Sequence, residues 1–296
     1  MQSANPPSPR RTVALTAVTM VAFASNSILC RLALQARAID PASFTLVRIL
    51  AGAVALLVIV RVVNPAARVF TPGRWVGAVF LFLYAATFSF AYTSLSAGTG
   101  ALILFGCVQA TMLAVALRSG ERPRPLEWIG LAVAVAGLVY LVAPGVEAPA
   151  PTGCALMAIA GVAWGFYSLT GRGSTNALAD TSRNFTRAAP LALVVGLLAP
   201  VAGADVHVTR EGVLLAFASG ALSSGLGYAV WYAALRGLSA TRAATVQLSV
   251  PVIAALGGVS FLSETITMRL VLSAILILGG VGAALVGRSS ARTAAR

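Results

Sequence analysis

Ten stretches of this chain are apolar and long enough to cross a bilayer, and this repetition constrains the fold more than any motif does. They fall at about 12–36, 42–63, 75–93, 97–118, 126–143, 153–171, 184–202, 212–236, 240–262 and 268–287. A hydrocarbon core of about 30 Å takes roughly 20 residues of helix. The runs are apolar on all faces, whereas a membrane barrel needs alternating segments of about ten residues. The expectation is therefore an all-α integral membrane protein of ten transmembrane helices. Breaker-rich connectors separate the runs, among them Asn64-Pro65, Pro123-Arg124-Pro125 and Ala148-Pro149-Ala150-Pro151.

Composition agrees with lipid as the solvent. Hydrophobic residues make up 58% of the chain and charged residues 10%, against about 25% charged in a soluble domain. Every one of the 21 basic residues is an arginine, and 8 acidic residues leave a net charge of +13. A nucleic-acid binder would gather those arginines on one face or run. Here they lie in ones, twos and threes between apolar stretches, so no nucleic-acid partner is expected. The expected partners are the bilayer and a small-molecule substrate. Cys30, Cys107 and Cys154 are isolated, with no metal or redox spacing, and read as buried free thiols.

The start of the chain imitates a signal peptide, with Arg10-Arg11 before an apolar run and Ala22-Phe23-Ala24 as a cleavage site. The run continues well past Ala24, too long for a signal core. It reads as an uncleaved first span. Orientation follows from the arginines of alternate loops. With the N-terminus inside, the cytoplasmic segments hold Arg10, Arg11, Arg61, Arg68, Arg74, Arg118, Arg122, Arg124, Arg172, Arg236, Arg242, Arg288, Arg292 and Arg296. The opposite loops hold Arg37, Arg210 and Arg269. Positive residues mark the cytoplasmic side, so both termini are expected there, in a cell (inner) membrane.

An internal repeat divides the chain. Leu95-Ser96-Ala97 recurs as Leu238-Ser239-Ala240, and the helix that follows ends at Glu121 in one copy and Glu264 in the other. Both offsets are 143 (238 − 95 and 264 − 121), and Gly137 and Gly280 share it. Tyr84-Ala85 matches Tyr228-Ala229, and Phe44–Arg48 resembles Asn184–Arg187. The predicted organisation is a cytoplasmic tail at 1–11, a five-helix repeat at 12–146, a second at 147–287 and a cytoplasmic tail at 288–296. Five is odd, so the second repeat enters the membrane inverted, as in many secondary transporters.

The pattern resembles the drug/metabolite transporter superfamily, specifically the ten-helix EamA-type exporters, over nearly the whole chain. Its best-preserved block is Ser239–Glu264, with Pro251-Val252 at the centre of a small-residue helix. Ala163-Trp164-Gly165, near the start of the second half, is also typical. The first copy departs from this with Val108-Gln109 in place of Pro251-Val252, and Ser263 stands where a glycine often precedes the terminal Glu. The resemblance implies export of amino acids or related metabolites, with the aromatic amino acid exporter branch as one placement.

Polar and aromatic groups at mid-bilayer are costly on a lipid face and tend to line an interior. The candidates for a substrate cavity are Asn26, Ser27, Tyr84 and Gln109 in the first half. In the second they are Trp164, Tyr167, Tyr228, Trp231, Gln247 and Ser249. Each also has a plainer reading: interhelical hydrogen bonding for the amides, self-capping for the serines, interface anchoring for Trp231. Pro251 frees a backbone carbonyl in mid-helix and is a hinge candidate, or a simple kink. Gly161 and Gly165 read as a helix-packing pair. Arg48 and Arg187 are placed to hold a carboxylate or to snorkel to the headgroups, and snorkelling is the simpler reading. Glu121 and Glu264, at helix ends, are expected in solvent or an ion pair.

All eight acidic residues and His207 fall in loops or at span ends, so no intramembrane carboxylate relay is expected. There is no nucleophile–base motif and no metal-ligand cluster. The chain reads as a non-enzymatic transporter using alternating access, without catalytic residues, metal or cofactor, and a monomer suffices. A proton-coupled exporter of drugs or other metabolites is the alternative, and a channel the more distant one.

Overall fold

The structure is a computed structural model of the 296-residue chain. It describes residues 8–67, 69, 74–118, 125–145, 148–171, 174–238 and 240–294, with the side chains at 240–241 and 286–294 left aside. The described chain forms ten rods: α1 Pro9–Gln35, α2 Pro41–Val63, α3 Val76–Ala91, α4 Ala97–Arg118, α5 Pro125–Val142, α6 Pro151–Thr170, α7 Ala177–Val201, α8 Arg210–Leu235, α9 in two segments, Ala240–Gln247 and Ser249–Leu262, and α10 Met268–Ala294. Nine of the ten are long and apolar enough to cross a membrane, while α3 is a shorter apolar helix.

Local chemistry sets most of the helix starts. Pro9, Pro41, Pro125 and Pro151 each open a helix, where the missing N–H is one that would be unpaired anyway. Asp40 caps α2 by accepting from the Ala42 and Ser43 amides at 3.0 and 2.9 Å. Thr209 caps α8 through the Gly212 amide at 3.1 Å. The sequence placed the seventh span at 184–202, but α7 starts at Ala177, where Asn176 accepts from the Ala179 amide at 3.1 Å. Its first turns carry Asp180, Arg183 and Asn184, which hydropathy cannot distinguish from a loop.

Packing follows the repeat. Helices α2 and α7 pack on each other, as do α5 and α10, and α4 and the second segment of α9. The remaining strong pairs come in matched sets: α2 with α8 mirrors α7 with α3, α3 with α6 mirrors α8 with α1, and α4 with α6 mirrors α9 with α1. This is the pattern of an approximate two-fold that exchanges the halves. Close approach needs small residues, since helices in lipid gain by backbone proximity. At Gly161 an added Cβ would sit 2.7 Å from the Leu104 carbonyl, and at Gly165 it would sit 2.8 Å from Thr111 Cβ. The outward faces carry Val54, Val58, Leu197, Leu256 and Ile275, a surface suited to lipid.

Two helices depart from regularity. Ser219–Leu226 of α8 is π-helical, and Gly220 there presses on the Arg48 carbonyl of α2. Helix α9 breaks at Leu248, whose amide turns back to the Thr245 carbonyl at 3.1 Å. Pro251 supplies no N–H for the Gln247 carbonyl, which weakens the helix at that turn. Pro251→Ala is expected to restore that bond, raise the melting temperature by a few degrees, and slow transport several-fold by stiffening α9. A raised melting temperature with unchanged transport would show the break to be a passive kink.

Candidate functional site

We call the end of the bundle where α1 starts the near end, and the opposite end the far end. A chamber of about 720 Å³ opens at the near end between the last turns of α6 and α8 and the first turns of α3 and α7. Aromatic groups line its depth: Trp164, Tyr167, Tyr228, Trp231 and Tyr232. Its mouth is polar, with Arg74, Asp180, Arg183 and Arg187. Asp180 is held by Ser174 and Arg183, and Arg187 Nη1 donates to the Arg74 carbonyl at 3.1 Å. Tyr167 donates to Thr181 Oγ1 at 3.4 Å, and Thr181 is also 2.6 Å from the Tyr232 hydroxyl.

Deeper lies a small void of about 30 Å³, bordered by Asn26, Ser27, Tyr84, Phe88 and Gln247. Trp164 and Tyr228 line both spaces and form the partition between them. Their rings stack at 5.5 Å, and Trp164 lies 4.7 Å from the Tyr84 ring. A polar chain crosses the floor. Ser219 Oγ donates to Asn26 Oδ1 at 2.6 Å, and Asn26 Nδ2 donates to the Tyr84 hydroxyl at 3.2 Å. Arg48 Nη2 donates to that same hydroxyl at 2.9 Å.

Arg48 corrects the snorkelling expectation. It is only 2% exposed, and its guanidinium lies 4.8 Å from the Phe88 ring centre and 5.2 Å from that of Tyr84. It turns inward because its position on α2 faces α3, where aromatic faces and a phenol offer more than a distant headgroup. Arg187, by contrast, reaches the mouth of the chamber.

The far end holds a separate recess of about 380 Å³ that ends on Arg31 and Glu264 and shares no lining residue with the chamber. Arg31 Nε meets Glu264 Oε1 at 3.3 Å, and Arg31 Nη1 donates to the carbonyls of Tyr92 at 3.0 Å and Thr93 at 3.2 Å. Both Glu264 oxygens accept from the Ala97 amide, at 3.1 and 2.9 Å, which caps α4. Nearby, the Asp40 amide donates to the His207 carbonyl and the Thr209 amide to the Ala38 carbonyl, each at 2.9 Å. The ion pair expected of Glu264 is present, while Glu121 lies outside the described residues.

Of the ten substrate-site candidates, eight line one or both spaces: Asn26, Ser27, Tyr84, Trp164, Tyr167, Tyr228, Trp231 and Gln247. Gln109 lines neither. Ser249 is exposed and donates to the Val246 carbonyl at 2.7 Å, a local bond at the helix break. Pro251 borders a lateral apolar groove with Gly98 and Leu270. Also at the site, though not among the sequence candidates, are Ser219, Ser223 and Ser224 of the π-helical turn and the polar start of α7. A run of small hydroxyl residues inside a membrane helix was the available signal. The three cysteines are free and buried.

A multi-pass helical bundle with a polar, aromatic chamber open at one end and closed at the other is built as a membrane transporter. The EamA-like transporter family matches residues 10–143 and again 151–286, and the chain belongs to that family. It is 48% identical over 281 residues to the uncharacterized protein PA1977 of Pseudomonas aeruginosa, covering 94% of this chain and 96% of that one. It is 32% identical over 186 residues to the threonine/homoserine exporter RhtA of Escherichia coli K12, covering 61% of each chain. A crystal structure 21% identical in sequence superposes with a TM-score of 0.64 over 92% of this chain and 97% of the other, which establishes the likeness of fold.

Proposed function

We propose that the protein exports small amphipathic metabolites, amino acids foremost, by alternating access between two inverted five-helix repeats, 12–146 and 147–287. The carrying observation is the one-sided chamber, open at the near end and blocked at the far end by Arg31 and Glu264. Matched packing of the halves supports the inverted reading, because exchanging two equivalent arrangements would open the far end and close the near one. The partial likeness to a threonine/homoserine exporter supports amino acids as the solute class. Aromatic bodies with polar tips suit such solutes.

In this reading the near end faces the cytoplasm, with both termini there and the bundle in the cell (inner) membrane. The arginine distribution supports that orientation. The described carboxylates all sit at helix ends or in loops, so coupling through an intramembrane carboxylate is not part of the mechanism. One chain encloses the whole path, and a monomer suffices.

Liposomes containing the purified protein test this against labelled threonine, homoserine and aromatic amino acids, with and without a pH gradient. Saturable uptake that exchanges with unlabelled solute and ignores the gradient is expected. Uptake that requires the gradient would refute uncoupled transport while keeping the carrier, and flux without saturation would indicate a channel. Trp164→Ala removes the partition and ring contacts worth about 0.5–1.5 kcal/mol each. Its uptake is expected to fall about tenfold with protein yield unchanged.

A further inference from the structure

A guanidinium stays protonated in any accessible environment, and a charge at membrane depth is normally paired or opened to water. Arg48 has neither relief. Its side chain is enclosed, and among the described residues it forms no ion pair. Its Nη1 is buried without a hydrogen-bond partner. Asp40, on the same helix, is two turns away at the cap, about 12 Å by helical rise. The two aromatic faces beside Arg48 attract it but leave its charge in place.

Tyr84 passes that charge to the cavity. Its hydroxyl oxygen accepts from both Arg48 Nη2 and Asn26 Nδ2, which occupies its two acceptor positions. The phenolic proton must then point elsewhere, and Tyr84 borders the small void. An O–H polarised by a guanidinium is a strong donor toward an anion. The approach has the same sign, since three arginines and one already paired aspartate stand at the mouth.

We propose that the transport path recognises its solute by a carboxylate, received by the Tyr84 hydroxyl with Arg48 behind it, and that it rejects net cations. This rests on the transporter reading and deepens it. Tyr84 is the contacting group; Arg48 acts through it as a positioning and electrostatic residue. The carboxylate supplies the counter-charge that the fold withholds, so an occupied site lowers the cost of the buried guanidinium. The small void must widen to admit a solute, by displacement of the Trp164–Tyr228 partition.

Tryptophan fluorescence of the purified full chain, reporting through Trp164, tests this with matched pairs. Threonine is compared with threoninamide, and 3-phenylpropionate with 3-phenylpropionamide. Saturable quenching by the acids, at least tenfold tighter than by the amides, is the expected result. Tyr84→Phe should remove that preference by weakening the acids toward the amides. Arg48→Lys should retain part of it, whereas Arg48→Gln should lose it. Quenching by phenylpropionate but not threonine would uphold carboxylate recognition and refute amino acids as the solute. Equal responses to acid and amide, a preference intact in Tyr84→Phe, or no saturable response to either acid would overturn the proposal.

Discussion

Leucine in place of Gly130 is expected to abolish recovery of folded protein. Helices α5 and α10 cross at Gly130 and Gly280, where each glycine's missing Cβ leaves space taken by the other's carbonyl. A Cβ at Gly130 would also lie 2.7 Å from the Ala284 amide nitrogen, and one at Gly280 would lie 2.6 Å from the Ala134 amide nitrogen. These obstacles are backbone, so no rotamer change relieves them, and the helices must separate. Overpacking a core costs about 1–3 kcal/mol even where side chains can move, and here the penalty falls at the upper end or beyond. The measurement is the yield of monodisperse protein after detergent extraction. Gly282→Leu is the control, since a Cβ there meets nothing within 4 Å. Normal recovery of Gly130→Leu would show that the α5–α10 crossing is not needed for the fold.

The second large effect is expected at the closed end. Glu264→Gln keeps the side-chain shape but removes the charge that holds Arg31 and caps α4. Charge-assisted hydrogen bonds contribute about 1.5–3 kcal/mol, and both partners are largely shielded, with side chains 16% and 11% exposed. A loss of about 2 kcal/mol moves a two-state balance roughly thirtyfold toward opening of the far end. Hydrogen exchange should therefore accelerate at residues 95–100, including the Ala97 amide, while the α5–α10 crossing stays protected. Unchanged exchange there would mean that the Ala38–Thr209 and Asp40–His207 contacts close the end without the ion pair.

Much of this protein is legible in its sequence. Each membrane helix is stabilised by its own run of apolar residues in lipid and by its own backbone bonds, so hydropathy counts helices one at a time. Proline starts and Asp, Asn and Thr caps are likewise local. The 143-residue offset joined Gly137 to Gly280, because related halves keep small residues where packing is tight. Eight of ten cavity candidates line the two spaces because polar aromatics and amides at depth have few other places to go.

What the sequence by itself determined is therefore what depends on near neighbours: the number of helices, their approximate ends, the repeat and the family. Tertiary structure alone decided the rest. The inward turn of Arg48 depends on Tyr84 and Phe88 of another helix. Glu264 pairs with an arginine 233 positions earlier in the chain. Gln109 and Gln247 look alike as residues, but only Gln247 borders the small void. Such outcomes rest on which helix faces meet, and that choice is made by close packing of small residues across the whole bundle, a property no single segment carries.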